Sequence, residues 1–248
     1  MAELTMAETG TANELSRERP QQNDSLFNEL AWRFWLARVW ARYLLAGRRQ
    51  GLPALIEFLC QNYFFQPAQV PSELNSLGEI LAELQPQRAL EIGTANGGTL
   101  LLLTRLANRT ATLASIDLTA TEGGYSAERQ WFYERFARRK QHLHLLRGSS
   151  HSFWMRRRLG EVFDGRPLDY VFIDGDHRYE GVKKDFETYG SMVRKGGVVA
   201  FSGIAEHPPE AGCQVAQFWN EIKPQYRHRE FIADPGQGWG GIGVLFVD

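Results

Sequence analysis

The chain has 248 residues, 43% of them hydrophobic, and a formal net charge of −1. That is enough apolar material for one large domain, or one domain with an appendage, and so balanced a charge offers no bulk attraction for nucleic acid. The two cysteines, Cys60 and Cys213, give neither a disulfide framework nor metal-ligand spacing; they read as reduced thiols of a cytoplasmic protein.

Residues 1–24 carry five acids against two arginines and almost no large apolar groups, the composition of a disordered tail. They lack the layout of a signal peptide, and no run of about 18 apolar residues predicts a membrane-spanning helix. Residues 25–70 form an N-terminal helical extension. Its first helix, over 26–46, carries Trp32, Phe34, Trp35 and Trp40 with Arg33, Arg38 and Arg42. Apolar residues lie on most of its sides, so burial on more than one side is expected, against the core or against a second copy in a homo-oligomer. A membrane-surface helix or a substrate lid are the alternatives. A second helix follows over 53–62.

From Ser72 the pattern is regular. Leu74, Leu77, Ile80, Leu81 and Leu84 share a helical face, which Pro86 ends. Strands are then predicted at 88–93, 112–118, 142–148, 168–175 and 196–204, and helices at 98–108, 126–139, 150–159, 182–193 and 214–223. Such alternation predicts an α/β, Rossmann-like, mostly parallel sheet with helices on both faces, over a domain of residues 71–248. The last two extended runs, 228–234 and 241–248, have only "PGQGWGG" between them and should pair as an antiparallel hairpin at the sheet edge.

The stretch "RALEIGTANGGTLLLL" joins the first strand of this region to a helix through Gly93, Gly97 and Gly98. Glycines allow tight turns and close approach of backbone to a ligand, and a helix N-terminus offers free N–H groups. A dinucleotide fingerprint needs glycine two residues after Gly93, where Ala95 stands. Glu91 at the strand end repels a pyrophosphate and attracts an ammonium or sulfonium cation. Asp117, ending the second strand, can accept hydrogen bonds from both ribose hydroxyls. A ribose, a cationic end and no required phosphate describe S-adenosylmethionine.

Glu91-Ile92-Gly93 through Gly97-Gly98, the later Asp117, and "VFIDGDHRYEGVKKDFETYGSMVRKGGVVAF" resemble the class I S-adenosylmethionine-dependent methyltransferases. Within that superfamily the chain is similar to the family of macrolide-sugar O-methyltransferases and cephalosporin-hydroxylase-like proteins. The resemblance runs from about Pro71 to Val247. It implies a seven-stranded sheet with an antiparallel last hairpin. It places Glu91, Gly93, Thr94, Asn96 and Gly97 at the methionine end of the cofactor and Asp117 on the ribose. "RGSSH", with Ser149 and Ser150, would border the adenine; Ser149 replaces the usual aspartate.

Methyl transfer to oxygen is an in-line displacement in which orientation alone is worth about 7–11 kcal/mol, and a positioned base adds about 10²–10⁴-fold. "IDGDHRYEG" supplies Asp174, Asp176 and His177 beside the cofactor loop. Histidine titrates nearest neutral pH, so His177 is assigned as general base. Asp174 lies against the cofactor and either orients His177 or, as in metal-dependent members, ligates a metal. Asp176 is expected to cap the helix beginning near Tyr179. The family pattern has a His-Asp or acidic pair after the fifth strand, where this chain has Ser202 and Gly203. A single carboxylate makes a poor magnesium site, which argues against a divalent cation unless Glu206 and His207 compensate.

Between Arg129 and Arg158 there are nine Lys/Arg and one acid. This is either a solvated helix face or a surface for an acidic or nucleotide-linked acceptor. No RNA-binding signature accompanies it. The favoured function is O-methylation of a hydroxyl on a sugar or other small molecule. A nicotinamide oxidoreductase and a non-catalytic methyltransferase-like scaffold are the competing readings.

Overall fold

The structure is a computed structural model that describes residues 26–47 and 51–248; the tail expected over 1–24 lies outside the described residues. Helix α1 (Leu26–Arg42) passes through a π-turn at Tyr43–Gly47. Helices α2 (Leu52–Gln61) and α3 (Pro71–Leu84) complete the lead-in. The alternating region follows as β1 (Arg88–Ile92), α4 (Gly98–Leu106), β2 (Thr112–Asp117), α5 (Ala127–Tyr133), β3 (His142–Arg147), α6 (Phe153–Val162), β4 (Leu168–Ile173), α7 (Tyr179–Tyr189) and β5 (Val193–Ser202). Helix α8 (Val215–Ile222) and strands β6 (Arg227–Phe231) and β7 (Ile242–Phe246) close the chain.

The seven strands form one sheet in the order β3-β2-β1-β4-β5-β7-β6. β1 to β5 pair in parallel, and β7 runs antiparallel to both β5 and β6. The expected terminal hairpin is therefore present. Every residue of β4 is buried, as a strand covered on both faces requires, whereas edge strand β3 is only half-buried. One apolar core lies between one face and α1–α5, and the other between the opposite face and α6–α8. Among the described residues, no helix is long and apolar enough to cross a membrane.

Helix α1 is buried on one side only, not on several. Leu36 and Val39 face inward, while Leu30 and Phe34 are 65% and 67% exposed. The inward face joins an aromatic cluster that supplies the missing partners. Trp40 stacks on Tyr43 at 4.9 Å and on Phe136 at 5.6 Å, and Phe65 lies 5.4 Å from Phe132. Such pairs add about 0.5–1.5 kcal/mol each beyond area burial.

Three helix boundaries depart from the sequence pattern. Helix α5 stops at Tyr133, one 3₁₀ turn follows, and Ala137 turns extended. That exit lets the Arg138 guanidinium donate to the carbonyls of Thr104, Arg105 and Ala107 at the end of α4, where a cation suits the helix dipole. Helix α6 begins at Phe153 because Ser149 starts a turn, its Oγ accepting from the His151 N–H. Helix α7 begins at Tyr179, but Asp176 does not cap it. Its carboxylate accepts from the Arg178 N–H and pairs with that residue's guanidinium at 2.6 Å.

Candidate functional site

β1 hydrogen-bonds to β2 on one side and β4 on the other, so the strand order reverses at its carboxyl end. Open α/β sheets bind ligands at such a point. The chain leaves β1 through Gly93, whose φ is +88°; a Cβ there would lie 2.0 Å from the Asp174 carbonyl oxygen. A Cβ on Gly98 would lie 2.0 Å from the Phe65 carbonyl oxygen. These glycines let two other segments of the chain close onto the loop, a role that glycine chemistry alone does not distinguish from contact with a ligand.

Asp117 holds the loop's shape. Its Oδ2 accepts the N–H groups of Thr94 and Ala95, both at 2.9 Å, and its Oδ1 accepts from Leu118. Ala95 sits in the left-handed region at φ +43°, which an alanine adopts only under constraint. The constraint is the Asp117 contact on its N–H and the Tyr133 hydroxyl donating to its carbonyl at 2.6 Å. Gly148 donates to the Asp117 carbonyl, so Ser149 and Ser150 follow at the neighbouring strand end. His151 lies 3.3 Å from the buried Asp185 carboxylate. Beside Asp117, the Tyr125 hydroxyl is buried without a partner.

Glu91 lies beneath the loop, 1% exposed. Burial pushes its carboxyl well above the usual range; a hydrogen bond from Thr99 opposes this, and the charges of Asp174 and Asp117 add to it. Its Oε1 has no partner. Burial thus favours the neutral form of this carboxyl, and a cation placed against it would favour the charged one.

Beside the glycine loop opens a cleft of about 560 Å³, within the range of small-molecule sites; Glu91 and Gly93 are not among the residues that line it. Thr94, Asn96, Gly97 and Asp174 line it, as do Gln66, Gln69 and Trp239. Residues 66–69 come from the extension, tied down where the Asn96 side-chain amide donates to the Gln66 carbonyl. Ser149, Ser150 and Asp117 lie outside this enclosed part, further along the strand ends.

Asp174 meets the cleft; His177 is not among the lining residues. His177 Nε2 lies 3.2 Å from Asp174 Oδ1, and its Nδ1 faces Cys213 Sγ at 3.8 Å. The Asp174 carboxylate and the Cys213 thiol push the imidazole up to about 10 against the effect of burial. The ring is therefore an imidazolium at neutral pH, and both nitrogens are engaged. The other Asp174 oxygen accepts from Gln69 Nε2 at 2.8 Å, and the same amide donates to Ser202 Oγ at 2.9 Å.

The donor set does not fit a divalent cation. Among the described residues no three His, Cys, Asp or Glu side chains group as a metal site. Glu206 is exposed, and the His207 Nδ1 faces the Ala205 carbonyl at 2.7 Å.

Of the nine basic residues from Arg129 to Arg158, Arg129 and Arg138 are used internally and the other seven are exposed. Arg129 donates to the carbonyls of Phe64 and Asn96, Arg138 ends α4, and Arg135 lies over the Trp131 ring at 3.4 Å. The residues that sequence reasoning missed are Gln69, Thr99, Tyr133 and Cys213. Each meets its site partner from a distant segment or through a helix face that carries no motif.

Residues 90–203 match the family model of the methyltransferase domain. A 40-residue stretch is 42% identical to the uncharacterized protein R132 of Acanthamoeba polyphaga mimivirus, covering 16% of this chain and 18% of that protein. Among solved structures, the chain is similar to an O-methyltransferase from Bacillus cereus in complex with SAH, at 16% identity and a TM-score of 0.53, covering 95% of this chain and 97% of that one. It is also similar to the O-methyltransferase TomG from Streptomyces achromogenes in complex with SAM, at 17% identity and a TM-score of 0.52, covering 85% and 95%. Residues 90–203, somewhat under half of the chain, thus match the methyltransferase-domain model, and the chain as a whole shares the fold of these O-methyltransferase structures.

Proposed function

We propose that this protein transfers the methyl group of S-adenosylmethionine to a hydroxyl of a small molecule. The observation that carries the proposal is the pair of carboxyl groups at the switch point: buried Glu91 at the end of β1, below the glycine loop, and Asp174 on the wall of the cleft beside that loop. A sulfonium-bearing amino acid entering there would draw Glu91 into its charged form and satisfy Oε1. Asp117 would take one ribose hydroxyl with the lone pair left on Oδ1, and Ser149 and Ser150 would border the adenine.

S-adenosylmethionine supplies a methyl group already activated by positive sulfur. The protein's part is to align the acceptor oxygen and remove its proton. That proton becomes strongly acidic only as the new C–O bond forms, so a carboxylate suffices to receive it. Asp174, on the cleft wall, is placed for this. His177, charged and behind it, holds the carboxylate in position. The acceptor's proton thus enters the Asp174–His177 pair at the aspartate oxygen.

The test uses methyl-labelled S-adenosylmethionine with a panel of free sugars, nucleotide-linked sugars and phenols. We expect label in one class of hydroxyl product, and a loss of about 10²–10⁴-fold with Asp174→Asn. Equal transfer by the variant would remove Asp174 from this role. Transfer to none of the panel, despite cofactor binding, would favour a non-catalytic scaffold.

A further inference from the structure

We infer that Gln69, carried in by the N-terminal extension, takes the place of a metal ion in this site: its buried side-chain amide bridges the ends of β4 and β5 and positions Asp174 without a cation. The inference rests on the proposed methyl transfer for its meaning, but not for its test.

Gln69 is 4% exposed. Its Nε2 donates one hydrogen to Asp174 Oδ2 at 2.8 Å and the other to Ser202 Oγ at 2.9 Å. Those two oxygens end adjacent strands, β4 and β5, where a cation bridging the strand ends would have to sit. Asp174 is left with each oxygen engaged, one by Gln69 and one by His177. With the amide nitrogen already between them, a cation would have to displace two hydrogen bonds to enter. It would gain one carboxylate and one hydroxyl, well short of the six to eight oxygens that hard cations take.

The opposite orientation of the amide gives the alternative a definite form. Gln69 Oε1 is buried without a partner. Turned over, the amide would present Oε1 beside Asp174 and Ser202, making three oxygen donors. The two arrangements differ in what they bind, so binding decides between them.

The experiment is a Mn²⁺ titration of the full chain loaded with S-adenosylhomocysteine, followed by electron paramagnetic resonance and by melting temperature. Wild type, Asp174→Asn and Gln69→Glu are compared. We expect wild type to show no saturable Mn²⁺ site up to about 1 mM and no change in melting temperature with EDTA. Gln69→Glu sets two carboxylates side by side, and should acquire a saturable site and a Mn²⁺-dependent rise in melting temperature. A single saturable Mn²⁺ site in wild type, lost in Asp174→Asn, would overturn the inference. So would failure of folded Gln69→Glu to acquire one. If Gln69→Glu does not fold, the wild-type and Asp174→Asn arms decide alone. Binding of S-adenosylhomocysteine is scored separately by calorimetry, so its absence would count against the proposed function and not against the role of Gln69.

Discussion

The two walls of the cleft are built in different ways. The strand-end wall, from Thr94 through Thr99 with Asp174, is shaped by contacts among residues at neighbouring strand ends, Asp117 among them. The extension wall, residues 66–69, has no sheet to lean on. It is held by Phe65 in the aromatic cluster, by Arg129 on the Phe64 carbonyl, and by Gln69 reaching Asp174 and Ser202. The first wall gives the site its fold and the second gives it an enclosure. The backbones of the two walls close together at Gly98.

Substituting the glycines separates the walls. Gly93→Ala forces a side chain into a left-handed residue and against the Asp174 carbonyl, and should cost on the order of 4 kcal/mol of global stability in a urea titration. Gly98→Ala sits at a helix start, where propensity alone favours alanine by up to about 1 kcal/mol. The Phe65 carbonyl 2.0 Å from the new Cβ reverses that sign. We expect a net loss of about 1–3 kcal/mol, with residues 52–70 becoming the first segment cut in limited proteolysis. A stabilised Gly98→Ala protein would show that the walls do not meet there.

Glu91→Gln sharpens the comparison by splitting stability from binding. Burial favours the neutral carboxyl in the free protein, so the neutral isostere should change the unfolding free energy in urea by less than about 0.5 kcal/mol. Affinity for S-adenosylhomocysteine, whose ammonium the carboxylate would face, should fall at least tenfold, about 1.4 kcal/mol. A large stability loss with unchanged affinity would mean that the acid is ionised in the free protein.

The smallest effect is the pH dependence of the pair behind the cleft. His177 is raised from its ordinary 6.5 to about 10. Its stabilising contribution is therefore fully present below pH 6.5 and lost as pH rises through about 10. Because the ring is 39% exposed, solvent screens the pair, and the melting temperature should fall by no more than about 4 °C across that window. The fall should be absent in Asp174→Asn; an equal fall in that variant would assign it to other groups.

The strand–helix alternation, the terminal hairpin and the glycine loop were legible because each is written in contiguous stretches. "RALEIG" carries a buried strand, its acid and its turn within six residues, and Asp117 ends the next strand in the same way. Gln69 was not legible. It stands in "QPAQV", a stretch without periodicity, and its partners are 105 and 133 residues away. The choice of base between His177 and Asp174 meets the same limit. Spacing puts Asp174 and His177 together but does not say which faces the cleft, since that depends on Cys213 arriving from beyond β5. Within the basic run, only Arg129 and Arg138 depart from a solvated face, because the carbonyls that take them belong to other segments.

The most direct test is a calorimetric titration of the purified full chain with S-adenosylhomocysteine, with NAD as the control. The account predicts saturable one-to-one binding of the nucleoside, weakened in Glu91→Gln and in Asp117→Ala, and no heat with NAD. Absence of any heat or melting shift at saturating S-adenosylhomocysteine, in protein shown to be folded, would contradict it.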